Sequence, residues 1–291
     1  GLAHFMEHMC FNGTKNFEKN EIKSYLQTIG VKPGAHSNAY TAFDQTVYRL
    51  TIPTDKKSEI EKGFQILEDW VFDVTLSDEG IEKERGVIIE EYKTRLTAEG
   101  RMKKQYYPKL LYKSKYAERL PIGKKEIIEN FKPETLRKFY KDWYRPDLMA
   151  VIAVGDVSVE ELEKKIKKHF DKPNNSENYR ERKYFSDESH QETFISIVSD
   201  AEAITNSVDI LYKNPQEQLP ENSETSQLKE LKERIFSIMI NYRLHELANS
   251  NKPPFIKGQA INIKSRVKNK EIYTLTAEVK NSDYLLAIKT L

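Results

Sequence analysis

Apolar residues along this chain recur with a helical or a strand period, and each change of period marks an element. Residues 2–11 read as a helix closed by Asn12-Gly13, since glycine is the usual residue just beyond a helix end. A second helix is expected over about 18–29, with Ile22, Tyr25, Leu26 and Ile29 as its apolar stripe and Gly30 as its stop. Residues 31–53 are rich in β-branched and aromatic side chains around Phe43-Asp44-Gln45, which predicts two antiparallel strands and a turn. Residues 55–73 carry Ile60, Phe64, Leu67 and Val71 on one helical face, and a further helix capped by Ser77 is expected at 78–97. Residues 101–130 are basic, aromatic and irregular, and a helix follows at about 133–143. The continuous apolar run LMAVIAVGDV, 148–157, suits a buried strand, and Ser158 with Glu161 forms a capping box for a helix through Phe170.

A polar stretch, DKPNNSENYRERK at 171–183, interrupts this pattern and predicts a domain boundary. Beyond it, strands are expected at about 192–199 and 206–213, a polar loop at 214–226, and a long helix at 227–249 carrying Leu228, Leu231, Ile235, Ile238, Met239 and Tyr242. Two more strands, about 258–266 and 271–280, precede a final helix. The helix-then-hairpin order of the first part recurs. The expected architecture is therefore α+β, with repeated αβ domains at 1–175 and 192–291, each a mixed or antiparallel sheet packed by helices, and a linker at 176–191.

The 291 residues suffice for one large or two ordinary domains, and 38% hydrophobic against 32% charged residues, with a mean hydropathy of −0.70, describe a wet surface. No apolar run approaches the roughly 20 residues that cross a bilayer, so no transmembrane segment is expected. A net charge of +2 from 47 basic and 45 acidic residues gives no electrostatic ground for a nucleic-acid partner. Cys10 is the only cysteine, which rules out an intrachain disulfide, leaves the compartment open, and restricts any metal site to histidine and carboxylate ligands. The chain starts without an initiator methionine or a signal-type stretch and is expected to be a piece of a longer protein, whose targeting it does not reveal.

Within the first helix His4 and His8 stand four apart, about 40° around the axis, and Glu7 shares their face. Two imidazoles one turn apart can chelate one metal ion, and a carboxylate beside them can take a proton from a metal-bound water. His-x-x-Glu-His is the inverzincin zinc motif. The alternative is an ordinary helix with two surface or satisfied histidines, since such a string arises by chance in roughly one comparable sequence in a hundred. A catalytic zinc usually takes a third protein ligand. His36, His169, His190 and His245 read as ordinary surface or core histidines. The segment ERGVIIEE at 84–91 is more informative. Glu84 and Glu91 are nearly two turns apart and point the same way, and Val87 and Ile88 between them suggest an inward side, with Glu90 toward solvent. Standing alone, that helix would read better as a charged surface helix laced with i,i+4 pairs such as Glu91–Arg95.

Together these segments resemble the pitrilysin/insulinase family of zinc peptidases, which includes insulin-degrading enzyme, the mitochondrial processing peptidase β subunit and, nearest in pattern, the large bacterial two-half zinc proteases. GLAHFMEHMCFNGT, 1–14, is similar to that family's zinc helix almost residue for residue, and ERGVIIEE to the later helix that bears its third ligand. The resemblance implies one Zn2+ per chain held by His4, His8 and Glu91, with Glu7 as general base and Glu84 as a supporting catalytic carboxylate. SNAYTAFDQTVYRL, 37–50, resembles the family's edge-strand segment, which pairs with extended substrate backbone; that role falls to Asn38, Ala39, Tyr40 and Thr41. PIG at 121–123 and FYKDWYRPDLMAVIAVGDV at 139–157 match further family segments and read as structural.

The resemblance covers 1–213 clearly and 214–291 loosely. It implies a zinc-dependent endopeptidase that hydrolyses extended peptides through a metal-activated water, the alternative being a catalytically silent relative acting as a binding or core subunit. Residues 1–175 would then be the catalytic zinc-binding domain without its first strand, and 192–291 a truncated, non-catalytic second domain. The implied partners are a peptide or unfolded polypeptide and a C-terminal half that encloses the site and donates an arginine and a tyrosine. Without that half the fragment is expected to be poorly active. Bacterial periplasm or cell envelope is the favoured location, with cytoplasm as the alternative.

Overall fold

In the computed structural model, which describes residues 1–172, 180–185, 188–215, 220, 223–264, 270–280 and 283–291, the chain folds as two units. The first takes Gly1–Arg95 and Arg119–Lys183, and the second Leu96–Glu118 and Tyr184–Leu291. Of the expected linker, residues 176–179 and 186–187 lie outside the described residues. The first unit contains α1 (Leu2–Cys10), α2 (Glu21–Thr28), β1 (Ser37–Thr41), β2 (Thr46–Leu50), α3 (Lys57–Phe72) and α4 (Asp78–Thr94). Helix α5 (Ala98–Leu110) belongs to the second unit, and the first resumes with α6 (Lys125–Asn130), α7 (Pro133–Trp143) and α8 (Val159–Phe170). The second unit continues with β3 (Asn206–Pro215), α9 (Glu224–Ala248), β4 (Lys257–Lys264), β5 (Lys270–Val279) and α10 (Tyr284–Thr290). The fold is α+β, and the two sheets among the described residues are antiparallel.

Helix α1 runs through the core of the first unit. Its Phe5, Met6, Met9 and Cys10 are at most 1% exposed and cluster with Ile66 and Trp70 of α3, Ile81 and Ile88 of α4, Ile128 of α6 and Leu136 of α7. Burying side chains of this size contributes about 1.5–3 kcal/mol each, which fixes one side of α1 and leaves the other for polar work. Gly123, the last residue of the PIG segment, explains how that helix starts. It has φ +90°, and a Cβ there would fall 2.5 Å from Gly1 Cα, so only glycine lets the two backbones meet. Ser77 caps α4 as expected, accepting from Gly80 N at 3.1 Å, and Ser158 caps α8, accepting from Glu161 N at 3.2 Å. Strands β1 and β2 form the expected hairpin with Thr41 opposite Thr46, and among the described strands each pairs only with the other.

In the second unit the strand order is β3-β5-β4. Asn241 of α9 grips the sheet by both ends of its amide, donating to Ala260 O at 2.8 Å and accepting from Ala260 N at 2.9 Å.

Three expectations fail. Helices α5 and α6 occupy the stretch expected to be irregular. Helix α5 buries no residue, so it carries no apolar period to read; within its unit it is held instead by Arg101, which bonds Asp200 at 2.7 and 2.6 Å. Residues 96–118, placed with the first domain by sequence, pack in the second unit. The apolar run at 148–157 and the segment 192–199 are not strands. Ile152 and Val154 are 85% and 93% exposed, and Ile195 and Ile197 are 71% and 94% exposed. A strand needs a ladder for its backbone as well as apolar side chains, and no described strand pairs with either run.

Candidate metal centre and active site

The apolar face of α1 points into the core, which turns His4, Glu7 and His8 to the opposite arc. They meet α4. On that helix Ile81, Glu84, Ile88 and Glu91 follow one another at three- and four-residue steps and so share a face. The two isoleucines are fully buried and press that face against α1. Val87, read from sequence as inward, is 50% exposed and lies off the stripe. Glu90 faces solvent as expected and pairs with Lys93 at 2.6 Å.

His4 Nε2 and His8 Nε2 lie 3.5 and 3.2 Å from Glu91 Oε2, and one ligand atom from each of the three residues lies within 4.8 Å of the others. Tetrahedral ligands about 2.1 Å from a zinc ion stand about 3.4 Å from one another, so these separations fit a single ion. The donor set fits too, two imidazoles and one carboxylate. His8 Nδ1 is 2.9 Å from Glu84 Oε1. An ionised carboxylate only accepts, which puts a proton on Nδ1 and, once the ring is neutral, frees the Nε2 lone pair for an ion between it and Glu91. Glu84 Oε2 accepts from Asn12 Nδ2 at 2.8 Å. Cys10 takes no part. Burial pushes its thiol up to about 12, and it donates to Tyr48 OH at 3.2 Å.

Electrostatics separate the members of each residue type. Burial pushes His4 down to about 4, against the pull of Glu91. Burial also pulls on His8, but the Glu84 hydrogen bond and the surrounding carboxylates outweigh it, and His8 is raised. Burial raises Glu7, partly opposed by a hydrogen bond from Thr41. Burial would raise Glu91 as well, but Arg95 and the two histidines hold it below the usual carboxylate range. Arg95 donates to Glu91 Oε1 at 3.0 and 2.5 Å, so the i,i+4 pair read as an alternative to a metal site coexists with the cluster.

On β1, Asn38 and Tyr40 are exposed and Ala39 and Thr41 half-buried. Asn38 Oδ1 accepts from Ala39 N at 2.9 Å, and Tyr40 OH accepts from Gln45 Nε2 at 3.3 Å. Of the four, the described hydrogen bonds tie only Thr41 to the cluster, at Glu7. Sequence reasoning missed Asn12 and the Thr41 hydroxyl. The signal for Asn12 was present: it stands four residues after His8, one turn along the same face.

A model of the insulinase family, peptidase family M16, matches residues 1–118, and one described as the peptidase M16 inactive domain matches 130–238. The chain belongs to the insulinase/pitrilysin family. An Arabidopsis thaliana relative named zinc protease PQQL-like is 35% identical over 256 residues, 88% of this chain and 27% of the relative. The Escherichia coli probable zinc protease PqqL is 32% identical over 259 residues, 89% of this chain and 27% of the relative. The chain thus spans 27% of the length of each of these relatives. The crystal structure of the first half of the periplasmic protease PqqL from Escherichia coli superposes with a TM-score of 0.86 at 29% identity, covering 100% of this chain and 62% of that one. Pitrilysin, at 18% identity and a TM-score of 0.62, shares the fold; its match covers 97% of this chain and 30% of that one.

Proposed function

We propose that this chain carries the metal-binding and proton-transferring part of a zinc-dependent endopeptidase acting on extended peptides. One observation supports the reading above others: three ligand atoms of His4, His8 and Glu91 sit at zinc-ligand separations, with Glu7 on the same arc of α1. His4 and His8 would hold the ion through Nε2 and Glu91 through Oε2, one ion per chain. A bound zinc supplies Lewis acidity and lowers the pKa of water from 15.7 toward about 7. Glu7, raised by burial, takes the proton of the attacking water and returns it to the leaving amine. Glu84 acts through His8, fixing its tautomer, and is a positioning residue on this reading. The edge of β1 from Asn38 to Thr41 would pair with the peptide backbone, which gives affinity with little sequence preference.

The family likeness extends the proposal. Residues 1–175, apart from the 96–118 that pack in the second unit, would act as the catalytic domain and 192–291 as a non-catalytic one, joined at 176–191. The name of the matched structure gives that relative a first half and a periplasmic location. By analogy a second half would close this site, and the periplasm is the proposed compartment. The test is zinc content and peptide turnover of the full-length protein. His4→Ala and His8→Ala should each abolish stoichiometric zinc. Glu7→Gln should keep zinc and lose roughly 10²–10⁴-fold in rate. Parental turnover by zinc-loaded Glu7→Gln would remove the base assignment.

A further inference from the structure

Glu7 is held from the strand side. Its Oε2 accepts a 2.5 Å hydrogen bond from Thr41 Oγ1, at the end of β1. Thr41 Oγ1 in turn lies 3.3 Å from Thr46 Oγ1, the residue directly opposite in the hairpin. A threonine hydroxyl carries one proton, and an ionised carboxylate only accepts. With Glu7 ionised, the Thr41 proton therefore goes to Glu7, and Thr46 donates to Thr41.

We infer that Thr41, backed by Thr46, is the positioning residue for Glu7: its hydroxyl fixes Oε2 and leaves Oε1 as the oxygen presented to the reacting atoms. The inference rests on the proposed function and deepens it. The arrangement follows from the period of a strand. Ser37, Ala39 and Thr41 fall on the inner face of β1, and Asn38 and Tyr40 on the outer. The backbone of Thr41 thus belongs to the edge proposed to hold substrate, while its side chain holds the proton carrier. The base and the peptide are set against one rigid element. A register slip of one residue would turn the hydroxyl away from Glu7.

The test uses full-length, zinc-loaded protein and a quenched fluorescent peptide. Thr41→Val keeps the β-branched shape and removes the hydroxyl. It should lower kcat about 10- to 100-fold, the range for losing a hydrogen bond to a charged group, with KM within about twofold because the backbone edge is intact. Thr41→Ser should restore most of the rate. In a Glu7→Gln background Thr41→Val should cost nothing more, since a residue acting only through Glu7 has nothing left to act on. Zinc content, and binding of a labelled peptide in that same background, should not change. Thr41→Ala serves as the second variant where Thr41→Val lowers zinc content. Parental kcat in Thr41→Val overturns the inference while leaving the peptidase reading in place. So does an equal loss with and without Glu7. Turnover that Glu7→Gln does not affect overturns the base assignment and the inference with it.

Discussion

Replacing Glu84 asks whether the candidate zinc site is held from behind. The carboxylate faces two donors, His8 Nδ1 at 2.9 Å and Asn12 Nδ2 at 2.8 Å. Glu84→Ala strands both. Carboxylates that orient a ligating histidine typically change metal affinity about 10- to 100-fold, or about 1.4–2.7 kcal/mol. One hydrogen bond to a charged group contributes about 1.5–3 kcal/mol, so the loss of a single bond already accounts for that range. Glu84→Gln should be milder. The amide oxygen can keep His8 Nδ1–H, and its NH2 then meets Asn12, whose own amide can turn to present oxygen. Only the charge is lost, for about a tenfold effect. Asn12→Ala leaves the His8–Glu84 bond in place and should cost less than about tenfold.

Competition with a chromophoric chelator reads these affinities, and pH must be fixed with care. His8 is raised above the ordinary histidine value, by Glu84 among others, so a proton must leave as zinc enters. Affinity then falls by up to about tenfold per pH unit below that pKa. Glu84→Ala also releases the proton more easily, so its deficit shrinks toward acid and shows in full at a pH well above the His8 pKa. Glu84→Ala binding zinc within about twofold of the parent at that pH, while His8→Ala binds none, would refute the supporting role.

Two stability predictions use the fact that both tryptophans, Trp70 and Trp143, lie in the first unit, whose unfolding their fluorescence therefore reports. Asp69 is fully buried and accepts from Thr14 Oγ1 at 2.6 Å, Asn16 N at 3.1 Å, Asn16 Nδ2 at 2.8 Å and Gln65 Nε2 at 2.8 Å; Asp69→Ala strands all four donors and should cost about 3 kcal/mol in urea unfolding, and a loss under about 1 kcal/mol would contradict the accounting. Glu61 is held down to about 2 by hydrogen bonds from Lys165 and Lys168, so its contribution is complete above about pH 4.5 and fades as pH falls toward 2. Glu61→Gln should flatten that part of the acid profile, less so in 1 M salt because the carboxylate is partly exposed, and an unchanged profile would speak against the link.

Much of this fold was legible because its signals are local. The α1 boundary, the hairpin turn and the Ser77 and Ser158 caps all follow from neighbouring residues, and the structure has each of them. The misses share a different cause. Apolar content made 148–157 read as a strand, and 192–199 was expected to be one too, but pairing is decided by a distant backbone. Helix α5 was hidden for the converse reason, having no buried side chain to set a period. At the site, spacing alone correctly placed Glu84 and Glu91 on one face. It could not tell that Val87 leaves that face while Ile88 closes it, because that depends on where α1 lies against α4.

Nor could spacing assign the three glutamates, which are the same residue type in one site. What separates them is the group beside each carboxylate. Glu7 is buried, and the one neutral hydroxyl that donates to it opposes burial without outweighing it, so its proton affinity rises, as the proposed proton carrier requires. Glu84 spends both oxygens on His8 and Asn12, so in the proposed centre it would act through His8. Glu91 has Arg95 at the C-terminal end of α4 and two histidines in front, and these favour its ionised form, as the proposed ligand requires. The i,i+4 pair that would mark an ordinary surface helix is therefore part of what suits Glu91 to a metal. Arg95 neutralises Oε1 from the solvent side while Oε2 faces the imidazoles, so a surface pair and the proposed ion site can share one carboxylate without competing for the same oxygen.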